Sequence, residues 1–291
     1  MEDIKILVDT GSDIPEETAK KYNIGILRFL SLFGEDTYVQ GVDITNSEFF
    51  DKLEGFEGFP TTSQTPIGDM QDFLRKEAEK HKHVIYFALS GEASGQCQTA
   101  TMLSRELMEE NPEFDIRVVD TRKFSVYIAE AAVHAAEMAA AGKSVDEIVE
   151  ECSKYVLQWK CFLLVDTLKY LEKGGRLSKT AAFIGSLLDI KPVLGIEGGL
   201  VVNSDKLRGK KKLMDKLIAK IEEDEDFIEC DKKEFLVVQS DDEKGKEVCE
   251  KLKDLYGDDC IKMYGEFGPL IGTHVGRGAY AVLCRVNREI A

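Results

Sequence analysis

Three short segments of this chain combine hydroxyls, carboxylates and glycine at places where helices begin: Asp9-Thr10-Gly11-Ser12-Asp13, Thr61-Thr62-Ser63 and Ser90-Gly91-Glu92-Ala93-Ser94-Gly95. Side chains of these types satisfy the free N–H groups of a first helical turn, so ordinary capping explains any one segment. The same N–H groups carry about half a positive charge, and hydroxyls beside them can hold a carboxylate or a phosphate. Three such segments on one edge of a sheet point to a small anion. Arg176, in Gly174-Gly175-Arg176-Leu177-Ser178-Lys179, adds a guanidinium able to grip an anion through two bonds, although a surface salt bridge accounts for it equally well. His274 reads as part of a glycine-rich loop over 268–278, a better ligand contact than His81 and His83 in a charged helix end or His134 in an alanine-rich helix. Two apolar stretches, 181–190 and 124–141, are core by default. Beside an anion site they would wall a tunnel for a hydrocarbon tail.

The elements needed to position these groups alternate between strand and helix, which predicts an α/β protein. Strands are expected at 5–10, 24–29, 83–89 and 116–120, where a mostly parallel sheet flanked by helices would send its carboxyl-end loops to one crevice. Asp13 is expected to cap a helix over 15–22. Residues 30–45 read as irregular, with a capping box at Thr45 and Glu48. Further helices are expected to about 80, over 94–110, 124–141 and 144–159. The second half predicts a strand at 162–166, a short helix at 168–173, an apolar helix around 179–188 and a hairpin over 191–204 turning at Glu197-Gly198-Gly199. A helix over 210–223, strands at 234–240, 261–267 and 279–286 and a helix over 243–256 complete a mixed sheet with helices. Two α/β domains follow, 1–160 and 161–291.

The chain has 291 residues and a net charge of −16, from 38 Lys+Arg against 54 Asp+Glu, which argues against a nucleic-acid partner bound through the whole surface. Seven scattered cysteines without a CxxC pair suggest reduced core thiols, and four histidines make an imidazole-rich metal site unlikely on composition. No run approaches the roughly 20 apolar residues of a membrane helix, and the first residues lack a signal pattern. A cytoplasmic protein without stable membrane insertion, metal or cofactor is the expectation.

Taken together, the segments ILVDTGSDIP (6–15), YVQGVDI (38–44), PTTSQTPIGDM (60–70), ALSGEASGQCQTA (88–100), VDTLKYLEKGGRLSKTAAFIGSLLDIKPVL (165–194) and FGPLIGTHVGRGAYAV (267–282) resemble the DegV family over essentially the whole chain. The resemblance implies a fatty-acid-binding protein, not itself an enzyme, that presents a bound long-chain fatty acid to a separate fatty acid kinase subunit. It implies that Thr62, Ser63 and Ser94 hydrogen-bond the carboxylate, that His274 and Arg176 are head-group residues near the pocket mouth, and that the acyl chain lies between two domains. Phe124 and Tyr127 stand where family members often carry smaller residues, which implies a shorter or differently shaped tunnel. Lys169, Lys173, Arg176 and Lys179 form a basic cluster expected to edge the mouth and help dock the kinase, whereas for Lys206, Arg208, Lys210, Lys211 and Lys212 further on a solvated helix face is at least as good a reading.

Two other classes remain open from the residues alone. A hydrolase or acyltransferase could use Ser94 or Ser63 with His274 and Asp9 or Asp120, although no GxSxG elbow exists. A regulator binding a small anion or phosphate is the other, without a GxxxxGK[ST] loop or a strand-linked GxGxxG to support it.

Overall fold

The computed structural model describes residues 3–178, 190–209 and 212–287. Its first half contains β1 (Ile4–Asp9), α1 (Glu16–Lys21), β2 (Gly25–Leu27), β3 (Leu30–Phe33), β4 (Asp36–Val39), α2 (Asn46–Gly55), β5 (Thr61–Ser63), α3 (Ile67–Lys80), β6 (His83–Ala88), α4 (Gln96–Glu110), β7 (Ile116–Asp120), α5 (Val126–Ala140) and α6 (Val145–Tyr155). The second half follows with β8 (Trp159–Leu164), α7 (Lys169–Gly174), β9 (Ile190–Glu197), β10 (Leu200–Arg208), α8 (Leu213–Glu222), α9 (Glu225–Ile228), β11 (Phe235–Gln239), α10 (Asp242–Tyr256), β12 (Ile261–Glu266), α11 (Pro269–Val275) and β13 (Tyr280–Arg285).

Strands β2-β1-β6-β7 form a wholly parallel sheet. Parallel strands buried on both faces read as continuous apolar runs, and β1 shows why. Leu7 points to α3 and α4 with Met70, Leu74, Leu103 and Leu107, whereas Ile6 and Val8 point the other way into the central core. The second sheet, in the order β10-β9-β8-β13-β11-β12, is antiparallel except for β11 and β12. It splits its side chains in the same manner: Leu163, Val238 and Leu283 enter the central core, while Phe162, Val237 and Val282 pack under α8 and α10. Helix α5 lies against β1 and β6 of one sheet and β11 and β12 of the other. That position explains the apolar first turns of the helix, while Glu130, His134 and Glu137 share one face at helical spacing. Val126 through Ala132 are all buried.

The α/β architecture, with these two sheets and a small third one of β4-β3-β5, agrees with the expected fold class, and several local expectations change. Residues 30–39, read as irregular, form the β3–β4 hairpin, with β5 on its other side. Buried Ser31 lies on the same inward face as Phe33, so the apolar alternation that marks a strand is broken. Asp13 does not cap α1; Pro15 occupies the cap position and Asp13 bonds elsewhere. The segment around His274 is a helix rather than a loop. Pro269 starts it, Gly272 packs where Phe49 and Phe50 leave no room for a side chain, and Gly276, at φ 73°, ends it. Trp159 opens β8 instead of closing a helix, and α8 begins at Leu213. The expected apolar helix around 179–188 lies outside the described residues. Both capping boxes, at Thr45/Glu48 and Ser144/Glu147, are formed, and the β9–β10 hairpin turns on Gly198 and Gly199, both at positive φ.

Candidate functional site

Thr62 lies in β5, paired with Ser31 of β3. Strand alternation leaves Thr61 and Ser63 exposed and turns Thr62 partly inward. Ser63 hydrogen-bonds the carbonyl of Gln64 at 3.4 Å. The chain just beyond β5 is tied to the start of α4: Thr65 N–H donates to Gln96 Oε1 at 2.9 Å, and Thr99 Oγ1 donates to Gln64 Oε1 at 3.2 Å. Ser94 sits at that start, accepting from Gln96 N–H at 3.3 Å. The residue before it, Ala93, accepts at 3.2 Å from Nε of Arg176, whose Nη1 also donates to the carbonyl of Gly174. Arg176 then shares a cavity wall with His274. Helix α11, which carries His274, packs against α7 and β5. These bonds tie together the segments that carry the five residues singled out by the sequence, but of the five only Arg176 and His274 line the cavity; Thr62, Ser63 and Ser94 do not. Gln64 and Gln96, which make the links, carry no pattern that would have marked them; a glutamine in a first helical turn reads as surface.

The cavity shared by Arg176 and His274 lies on the central-core face of the second sheet, under α5 and α11. Its walls include Phe124, Tyr127, Leu163, Val238, Ile271 and Leu283, and Arg176 is their one charged member among the described residues. Its volume is about 60 Å³, well below the roughly 300–1,000 Å³ of a typical small-molecule pocket. Phe124 and Tyr127 both project into it, and the Lys123 ammonium stands 5.0 Å from the Tyr127 ring centre. The contribution of the stretch 181–189 lies outside the described residues.

His274 is the chemically exposed group of this cavity. Burial, and then the charge of Arg176, hold its imidazole well below the usual range, at about 4, so it is neutral at pH 7. Its buried Nδ1 makes no hydrogen bond among the described residues. Gly174 passes so close to Nδ1 that any side chain there would collide with it. A neutral imidazole with a free nitrogen can donate to or accept from a polar head group entering the cavity. It is not set up as a general base. Asp9 receives the N–H groups of Gly11 and Leu89 and the hydroxyl of Tyr86, and Asp120 receives those of Gly91 and Arg122, so neither carboxylate orients His274 as a catalytic triad requires. The other histidines are occupied: His81 contacts Asp3, His83 contacts Asp115, and His134 stacks on Tyr155 at 4.3 Å.

A second hollow, of about 820 Å³, opens on the other side of α11, between the Thr10–Glu16 loop, Arg28, Gln40, the start of α2 and the end of β12. Several of its polar groups are paired with one another: Thr10 with Gln40 at 2.7 Å, Arg28 with Glu16 at 2.9 Å and Asn46 with Glu266 at 3.5 Å. Among the described residues no group of three or more His, Cys, Asp and Glu gathers to hold a metal ion, all seven cysteines are unpaired, and no helix is long and apolar enough to cross a membrane.

Comparison with known proteins places this geometry in context. The family model for DegV, described as an uncharacterised protein family, matches residues 3–286. A DegV domain-containing protein of Clostridium acetobutylicum is 33% identical over 290 residues, covering 97% of this chain and 99% of the relative. The crystal structure of a fatty acid binding DegV family protein from Streptococcus agalactiae superimposes with a TM-score of 0.85 at 27% identity, covering 99% of this chain and all of that one. That of DegV, a fatty acid binding protein from Bacillus subtilis, gives the same TM-score and identity, covering 98% and 100%.

Proposed function

The chain belongs to the DegV family, and from that premise we propose that it binds a long-chain fatty acid and presents it to a separate fatty acid kinase, acting in the cytoplasm and catalysing nothing alone. The observation that supports this reading is an apolar cavity whose wall carries the Arg176 guanidinium and an imidazole, His274, whose Nδ1 makes no hydrogen bond among the described residues. Two related structures of this fold are described as binding fatty acids.

On this reading the tail supplies affinity and the head supplies orientation. Each buried methylene is worth about 0.8 kcal/mol, so roughly 15 of them offer on the order of 12 kcal/mol before the entropy of association is subtracted. A carboxylate taken from water needs donors in return. Arg176, His274, Thr62, Ser63 and Ser94 would supply them, with the acyl chain lying between halves that divide near residue 160. At about 60 Å³ the cavity must widen to take such a chain, so binding includes the work of parting its walls.

The test is mass spectrometry of the organic extract from purified protein, beside a Thr62→Ala/Ser94→Ala double variant. A stoichiometric long-chain acid in the wild type, depleted in the variant, is the expected result. Wild-type protein that carries no acid and refuses added acid would overturn the proposal.

A further inference from the structure

Asp13 leaves its expected place as a helix cap and joins three parts of the molecule. One carboxylate oxygen accepts from the backbone N–H of Gly268 at 2.8 Å, at the cap position of α11. The other accepts from the hydroxyl of Ser125, at the cap position of α5. Ser125 N–H in turn donates to the carbonyl of Gly11 at 2.7 Å, which fixes the loop that holds Asp13. Both helices wall the apolar cavity: Ser125 and Tyr127 contribute from α5 and its cap, Ile271, His274 and Val275 from α11. Asp13 itself lies in the floor of the wide polar cleft behind them, 7% exposed.

We infer that Asp13 is the latch of the apolar cavity: its carboxyl group joins the wall carried by α5 to the wall carried by α11, and parting that joint is the step that admits an acyl chain. The last clause rests on the fatty-acid reading; the latch itself does not.

Titration gives the latch a testable sign. The charged and titratable groups around Asp13 are Asp9 at the end of β1, Glu16 and Lys20 of α1, Arg28, Tyr264 and Glu266 of β12, Lys123 ahead of α5 and His274 at the far end of α11. Burial pushes the Asp13 carboxyl up to about 7, against the bonds from Ser125 and Gly268 and with a further push from Asp9. In an opened joint the carboxyl meets water and returns toward the ordinary value of about 4. The closed form therefore holds its proton more tightly than the open form. The joint is firmest with Asp13 protonated, and opening becomes easier as pH rises through about 7.

Hydrogen exchange followed by mass spectrometry on the ligand-free protein tests this, read over 267–275 and 125–135 from pH 5.5 to 8 and corrected for intrinsic rates. The wild type should show opening that increases on the order of tenfold across the range. Asp13→Asn keeps an acceptor for Gly268 and, like the protonated carboxyl, offers Ser125 a donor in place of the second acceptor, so it should hold the low-pH level throughout. Asp13→Ala should exchange quickly at every pH; if it does not fold, the Asn profile decides alone. Release of a long-chain alcohol, whose head group does not titrate, should follow the same profile in the wild type. Asp13→Asn with the wild-type pH dependence, or Asp13→Ala with wild-type protection, would overturn the latch. The expected exchange profile with no alcohol or fatty acid bound would support the latch and remove the fatty-acid reading instead.

Discussion

The two hollows on either side of α11 differ in both respects that matter for a ligand. The wide one, about 820 Å³, is open and polar, and several of its side chains are paired with one another. The narrow one, about 60 Å³, is lined by apolar side chains and by an imidazole whose Nδ1 makes no hydrogen bond among the described residues. Volume and binding capacity are therefore separated in this protein. A ligand in the wide cleft would exchange existing hydrogen bonds for new ones at little net gain, whereas a chain in the narrow cavity gains by every methylene it hides, less the work of moving the walls.

Substitutions can sharpen or break that contrast. The largest effect is expected from Tyr127→Ala, which removes a buried ring from the narrow cavity: urea unfolding should show a loss of about 3–5 kcal/mol. The buried carboxylates on the other side act through pH. Burial raises Asp9 to about 6 and Asp13 to about 7, so the folded chain binds protons that the unfolded chain has released between about pH 4 and 7. Their contribution is fully present below pH 4 and is lost as pH rises through 6 and 7, on the order of 3–4 kcal/mol for each group. Thermal melts should decline over that interval, and Asp13→Asn should flatten the decline. Arg176→Ala should weaken fatty-acid binding about 10- to 100-fold in a displacement titration, the worth of a charge-assisted bond. Asn46→Ala, in the wide cleft, should change neither binding nor stability by more than about 0.5 kcal/mol. A comparable loss from Asn46→Ala and Arg176→Ala would erase the distinction between the hollows.

Much of the architecture was legible before any coordinates. Continuous apolar runs such as 84–89 and 235–238 announce doubly covered strands, and the first turns of α5 announce a doubly covered helix, because burial on both sides leaves a mark in every residue. The capping boxes are local in the same sense, set by side chains three positions apart. The β3–β4 hairpin was hidden because buried Ser31 interrupts the pattern; Gln40, which bonds that serine at 2.9 Å, is 30 residues from its other partner, Thr10. Short motifs marked Arg176 and His274, which share a cavity wall, but no spacing could bring position 176 to 274.

What the sequence determined by itself is thus what neighbouring residues decide: strand and helix periods, caps, glycine turns and the types of polar group available for an anion. Tertiary structure alone decided which of those groups meet. It turned a histidine read as a loop ligand into one buried on a helix, kept neutral by desolvation, and took Asp13 from a presumed cap to a joint between α5 and α11. Both outcomes depend on partners about 100 residues or more away and on the exclusion of water, and neither distance nor dielectric is written in local order along a chain.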